Sequence, residues 1–159
     1  MKSSQSQKQS AVSPLKAHIG FWMRLVSNQV SHAFARKLET TGVTVAEWVV
    51  LREMSGGDAK TSPSAVAELT GLTRGAVSKL IERLLQKGFV TRREASRDRR
   101  YQDIELTPTA VALVPKLAKL ADENDEAFFG VISPAERKVL RQTLIRIADF
   151  NHLSKPPIE

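Results

Sequence analysis

Between Leu15 and Leu38 the apolar residues return at steps of three and four: Leu15, Ile19, Trp22, Met23, Val26, Val30, Ala33 and Leu38. This period predicts an amphipathic helix, opened by Pro14 and ended by Gly42. The stretch "TVAE", Thr44 to Glu47, has the capping-box pattern, in which a threonine and a glutamate three positions on satisfy each other's backbone amides. A second helix follows through "WVVLREM" and stops at "SGGD". Ser62 and Pro63 open a short third helix, with Ala65, Val66 and Leu69 on its apolar side. After a tight turn at "TGL", Thr73 caps a fourth helix, "RGAVSKLIERLLQK", which Gly88 closes.

Beyond Gly88 the period shortens to two. Phe89 to Glu94 and Tyr101 to Leu106 predict the two strands of a hairpin. Ile104 and Leu106 fall on one face of it, and Tyr101, Asp103 and Glu105 on the other. Helical spacing resumes at Thr107-Pro108, with Val111, Val114, Leu117, Leu120 and Ala121 along one side and Phe128 and Phe129 near the end. Pro115 lies inside this pattern and predicts a kink. A second capping box, "SPAE" at Ser133 to Glu136, opens a last helix carrying Val139, Leu140, Leu144, Ile147 and Ala148. The expected architecture is mainly α with one small β-hairpin.

The third and fourth helices, joined by a short glycine-containing turn, have the helix-turn-helix layout. On the fourth, Val77, Leu80, Ile81, Leu84 and Leu85 form one stripe. Arg74, Gly75, Ser78, Lys79 and Glu82 are left on the other side. Side chains at the start of that exposed face are short or basic, so the helix can enter a major groove closely. Thr73, Arg74, Ser78 and Lys79 are the residue types that reach base edges and phosphates, and a helix N-terminus favours phosphate. The hairpin tip adds Arg97, Asp98, Arg99 and Arg100. Arginines gain most where negative potential is concentrated, as in a narrow minor groove. Asp98 then serves as a brace that pairs with Arg100 and aims it.

Composition supports this direction. The 159 residues contain 24 Lys and Arg against 17 Asp and Glu, a net charge of +7. Such a balance suits a polyanionic partner. With no cysteine, disulfides, thiolate metal sites and thiol redox switches are excluded. The polar, Ser/Gln/Lys-rich residues 1–13 are expected to be a disordered tail, and they lack the apolar stretch of a secretory signal. No apolar run approaches the ~20 residues of a membrane span, so a cytoplasmic protein is expected. His18 and His32, on one predicted helix, would stand roughly 21 Å apart and cannot share a metal within one chain. No catalytic motif, phosphate loop or metal-ligand spacing is present, so neither an enzyme nor a cofactor is expected.

The run "AVAELTGLTRGAVSKLIERLLQKGFVTRREASRDRRYQDIELTPTA" resembles the winged helix-turn-helix of the MarR family of bacterial transcriptional regulators. "AEL", "GLTRGAVSKLIERL", "KGFV", "DRR" and "LTP" occur in the family's order between Ser64 and Ala110. The resemblance implies a winged helix-turn-helix DNA-binding lobe over 44–106. It also implies a helical dimerisation lobe from 14–43 and 107–153, within one domain of 14–159. It implies a recognition helix beginning at Thr73 to Lys79 and a wing in which Asp98 and Arg100 form the family's Asp-x-Arg pair. A homodimer on a palindromic duplex is expected, with repression relieved by a small aromatic or phenolic effector. His18, Trp22, Met23 and Trp48 would line the effector's space, aromatic walls with a polar group suiting an aromatic anion. Two departures stand out: Ala95-Ser96 replaces a more rigid Asp-Pro, and Tyr101-Gln102-Asp103 replaces small or basic residues. The alternative is a winged-helix module whose basic wing binds an acidic protein. It would require apolar anchors on the exposed face from Arg74 to Lys79.

Overall fold

The structure, a computed structural model, describes residues 12–57, 59–94, 102–155 and 158. Residues 1–11 of the expected tail, the wing-tip residues Arg97, Asp98, Arg99 and Arg100, and Tyr101 lie outside the described residues. Six α-helices and a three-stranded antiparallel sheet follow in the order α1 (Ile19–Glu39), α2 (Val45–Gly56), β1 (Lys60–Thr61), α3 (Pro63–Thr70), α4 (Arg74–Gln86), β2 (Val90–Glu94), β3 (Gln102–Leu106), α5 (Pro108–Phe129) and α6 (Pro134–Phe150).

Each predicted cap is formed. Thr44 and Glu47 close a reciprocal box at α2, and Ser133 and Glu136 do the same at α6. The hydroxyls of Ser62, Thr73 and Thr107 each accept an amide of the first turn of α3, α4 and α5. Gly42, Gly71 and Gly88 take positive φ. At Gly71, the turn between α3 and α4, the amide donates to Ala67 O at 2.8 Å and ends α3 in the left-handed conformation glycine tolerates.

The first helix differs from its expected start. Leu15–Ala17 forms a 3-10 turn, His18 is extended, and α1 begins only at Ile19. Trp22 secures this turn by donating its indole N–H to Lys16 O at 2.9 Å, a local bond that periodicity does not encode. Two apolar assignments also change: Ala65 is exposed on α3, and Val111 is 52% exposed on α5. Pro115 stays within α5, whose helical assignment runs through it unbroken.

The core is where α2, α3, α4, the sheet and the first half of α5 converge. Leu38, Val43, Val50, Leu51, Val66, Leu80, Leu84, Ile104 and Leu117 are almost wholly buried there. β3 is the central strand: β1 pairs with one edge and β2 with the other. Two-residue β1, which pairs Lys60 with Glu105 and Thr61 with Ile104, is too short to leave an alternating pattern and was not foreseen. In the β2–β3 ladder Val90 faces Leu106 and Arg92 faces Ile104, so these four share the inner side, while Thr91, Arg93, Asp103 and Glu105 share the outer.

Candidate nucleic-acid interface

The helix-turn-helix is locked from below by one carboxylate. Glu47, the N3 residue of the α2 capping box, is fully buried. Lys87, just past the end of α4, places its ammonium 2.8 Å from both Glu47 oxygens and 2.7 Å from Gly42 O. Arg83 Nε adds a longer contact of 3.4 Å. Burial alone would push the Glu47 carboxyl up. The hydrogen bonds from Lys87 and the Thr44 amide, with the charges of Lys87 and Arg83, outweigh it and hold the carboxyl below its ordinary range. The C-terminal end of α4 is thereby tied to the α1–α2 junction, and its N-terminal end is left to project.

At that projecting end Thr73, Arg74, Gly75, Ser78 and Lys79 are all exposed. Val77, Leu80, Ile81 and Leu84 are buried on the opposite side, as the stripe predicts. Thr73 already accepts the Ala76 amide, and Ser78 donates its hydroxyl to Arg74 O at 3.0 Å. Ser78 therefore offers lone pairs outward, which accept from an amino group on a base edge or from water. No large apolar side chain interrupts this surface. Among the described residues Arg74 and Lys79 make no ion pair. The face has the short, basic character of a groove-entering helix and lacks the anchors that a protein-docking helix needs.

A groove of about 1440 Å³ runs beside it, lined by Ser62 and Glu68 near α3, Arg74, Ser78, Lys79 and Glu82 on α4, and Arg92 and Asp103 on the sheet. Arg92 was not among the residues singled out from the sequence. Strand alternation was the signal that could have found it, since Val90 and Arg92 must share a face. Arg93, on the outer face, pairs with Glu105.

Matches to known proteins agree with this geometry. The MarR family's sequence profile matches residues 41–100, from the end of α1 to the span between β2 and β3. That match covers the helix-turn-helix and the strand after it, the segment whose sequence resembles the MarR family. A Thauera aromatica protein named for regulation of the hcr operon is 28% identical over 134 residues, 84% of this chain and 80% of that protein. Among solved structures, the reduced form of MarR from E. coli superposes with a TM-score of 0.71 at 20% identity, covering 86% of this chain and 97% of that one. BpsR of Bordetella bronchiseptica, whose DNA binding is regulated by 6-hydroxynicotinic acid, gives 0.72 at 23% identity over 87% and 98%. The organohalide-sensing regulator RdhR-CbdbA1625, bound to 2,4-dichlorophenol, gives 0.74 at 15% identity over 98% and 96%. Among the described residues, no helix is long and apolar enough to cross a membrane.

The four residues expected to line an effector space are dispersed within one chain. His18, Trp22 and Met23 are exposed at the start of α1. Trp48 is partly buried, edge-on to Phe34 with ring centroids 6.3 Å apart. Phe34 lies twelve residues beyond Trp22 on α1, roughly 18 Å along the axis. A single subunit does not gather Trp48 with the other three. Among the described residues no group of three His, Asp or Glu could hold a metal.

Proposed function

We propose that this protein is a homodimeric repressor that reads a palindromic operator and is released by a small lipophilic or aromatic ligand. The exposed, short, basic face of α4 carries this reading. Arg74, Ser78 and Lys79 enter the major groove, with Thr73 and Gly75 allowing the close approach. Arg97, Asp98, Arg99 and Arg100, between β2 and β3 in the sequence, form the minor-groove contact.

Dimerisation is supported by α6, no residue of which is buried. Val139, Leu140, Leu144, Ile145, Ile147 and Phe150 are all 38% or more exposed, and Ile19, Trp22, Met23, Leu25 and Val26 are similarly uncovered on α1. A helix with that many open aliphatic side chains is stable only against another surface. A twofold mate supplies one, and sets recognition helices about one turn of B-DNA, roughly 34 Å, apart.

Ligand release draws support from BpsR and RdhR-CbdbA1625, whose ligands are a hydroxylated nicotinic acid and a chlorophenol. His18, Trp22 and Met23 sit on the apolar face that a second subunit would cover. An aromatic effector held there would act through the dimer's geometry, with Trp48 reached only from further along α1.

Selection of bound fragments from genomic DNA, followed by gel shifts, tests the reading. Arg74→Ala is expected to weaken operator binding by roughly 1–3 kcal/mol and relax base preference at one position per half-site. Arg100→Ala should weaken it strongly, and unchanged affinity would remove the wing from the mechanism. Hydroxylated or chlorinated benzoates and phenols, added to the complex, should free the DNA.

A further inference from the structure

We propose that Glu82 is a positioning residue for DNA discrimination, holding Arg92 against the recognition helix so that it meets the backbone at one fixed place. The inference rests on the DNA-reading role assigned above to α4. Arg74, Ser78 and Glu82 follow one another at four-residue steps and lie on one face of α4. That puts a carboxylate on the surface offered to a polyanion, where it would repel phosphate. Its partner comes from the sheet. Arg92, on the inner side of β2 opposite Ile104, reaches across the groove and sets Nη2 3.1 Å from Glu82 Oε2. Both side chains are 53% exposed, so the pair lies open to the groove that Arg74, Ser78 and Lys79 also line.

Two consequences follow from this geometry. A guanidinium has five N–H donors in a planar fork, and one contact to Glu82 leaves donors for a phosphate. Glu82 limits where that fork can point, because it tethers a strand residue to the helix that reads the bases. A phosphate contact by Arg92 then forms only when α4 is seated at the correct depth and angle. On an unrelated duplex, with α4 poorly seated, the Glu82 charge still opposes phosphate while Arg92 is not in register. The pair therefore weakens non-specific binding more than specific binding. Exposed ion pairs are worth little to folding, about 0.2–1 kcal/mol, so stability alone does not require this one.

Affinity of the full-length protein would be measured for its selected operator and for an unrelated duplex of equal length, across a salt series. The variants are Glu82→Ala, Glu82→Gln, Arg92→Ala and Glu82→Ala/Arg92→Ala. Glu82→Ala is expected to tighten binding to the unrelated duplex by roughly two- to fivefold, the range of an exposed charge pair, and so to reduce discrimination. Glu82→Gln, which keeps an oxygen for Arg92 but not the charge, should lose less discrimination. Arg92→Ala should lower the operator salt slope by about 0.9, the value for one phosphate. In the Arg92→Ala background, removing Glu82 should no longer change the fixed-register component of discrimination. Equal changes on both duplexes, or additive effects in the double variant, would overturn the proposal. A wild-type protein that bound neither duplex at low salt would instead refute the DNA-reading role itself.

Discussion

Glu47 illustrates how one residue can carry two duties. As N3 of a capping box it satisfies the Thr44 amide, and as a fully buried anion it receives Lys87 and Arg83. Removing Lys87 leaves that anion partly uncompensated. Lys87→Met is expected to destabilise the fold by roughly 1–3 kcal/mol, less than for a fully buried pair because Lys87 is one-third exposed; chemical denaturation would measure it. The folded Glu47 pKa lies below the ordinary 4.5. Its stabilisation is therefore complete above that value and is lost as pH falls through the lower folded pKa. An acid titration followed by circular dichroism should begin to lose stability below about pH 4.5, and Glu47→Gln should lose less over that limb.

The turn between α3 and α4 orients α4, and Gly71 sets the turn. Its φ of +71° is reached by glycine without strain, and an added Cβ would also come within 2.9 Å of the flexible Lys155 side chain. Gly71→Ala is expected to lower stability by about 1 kcal/mol in thermal denaturation and to weaken operator binding. At the other helical corner, the Arg137 guanidinium donates from two nitrogens to the Glu126 carboxylate, at 2.6 and 3.1 Å, and from Nε to Ile132 O. This fork ties the start of α6 to the end of α5 and holds the Glu126 carboxyl below its usual range through the Arg137 hydrogen bond and charge. It is the local tie that aims a helix having no buried residue of its own.

For the whole molecule, two exposed surfaces matter: the short, basic face of α4 and the apolar side chains left uncovered along α1 and α6. If those helices meet a twofold mate, Leu144→Glu with Ile147→Glu should yield monomers in sedimentation velocity. Operator affinity should fall with the dimer, because two half-sites are no longer bound together. Thermal midpoints of the unchanged protein should rise with its concentration. A Leu144→Glu/Ile147→Glu protein that remained dimeric would require a different interface.

Much of this was legible along the chain because the signals are local. Six helices, the caps of α2 to α6, the two hairpin strands and the exposed face of α4 follow from spacing within a turn or two, and a side chain's face on a helix is set by its neighbours three and four positions away. Strand β1 was not legible, since two residues carry no period and pair only because β3 is already there. The late start of α1 depends on the Trp22 bond back to Lys16. Glu47 announced its cap but not its partners, which arrive 36 and 40 positions later. Arg92 and Glu82 meet only after the sheet folds against α4. The sequence by itself determined the six helices, most of their ends, the two hairpin strands and the charge of the exposed α4 face, because those depend on contacts between near neighbours. Tertiary structure alone decided which charges face each other across elements and which apolar faces stay uncovered, because those depend on distances between parts of the chain far apart in order.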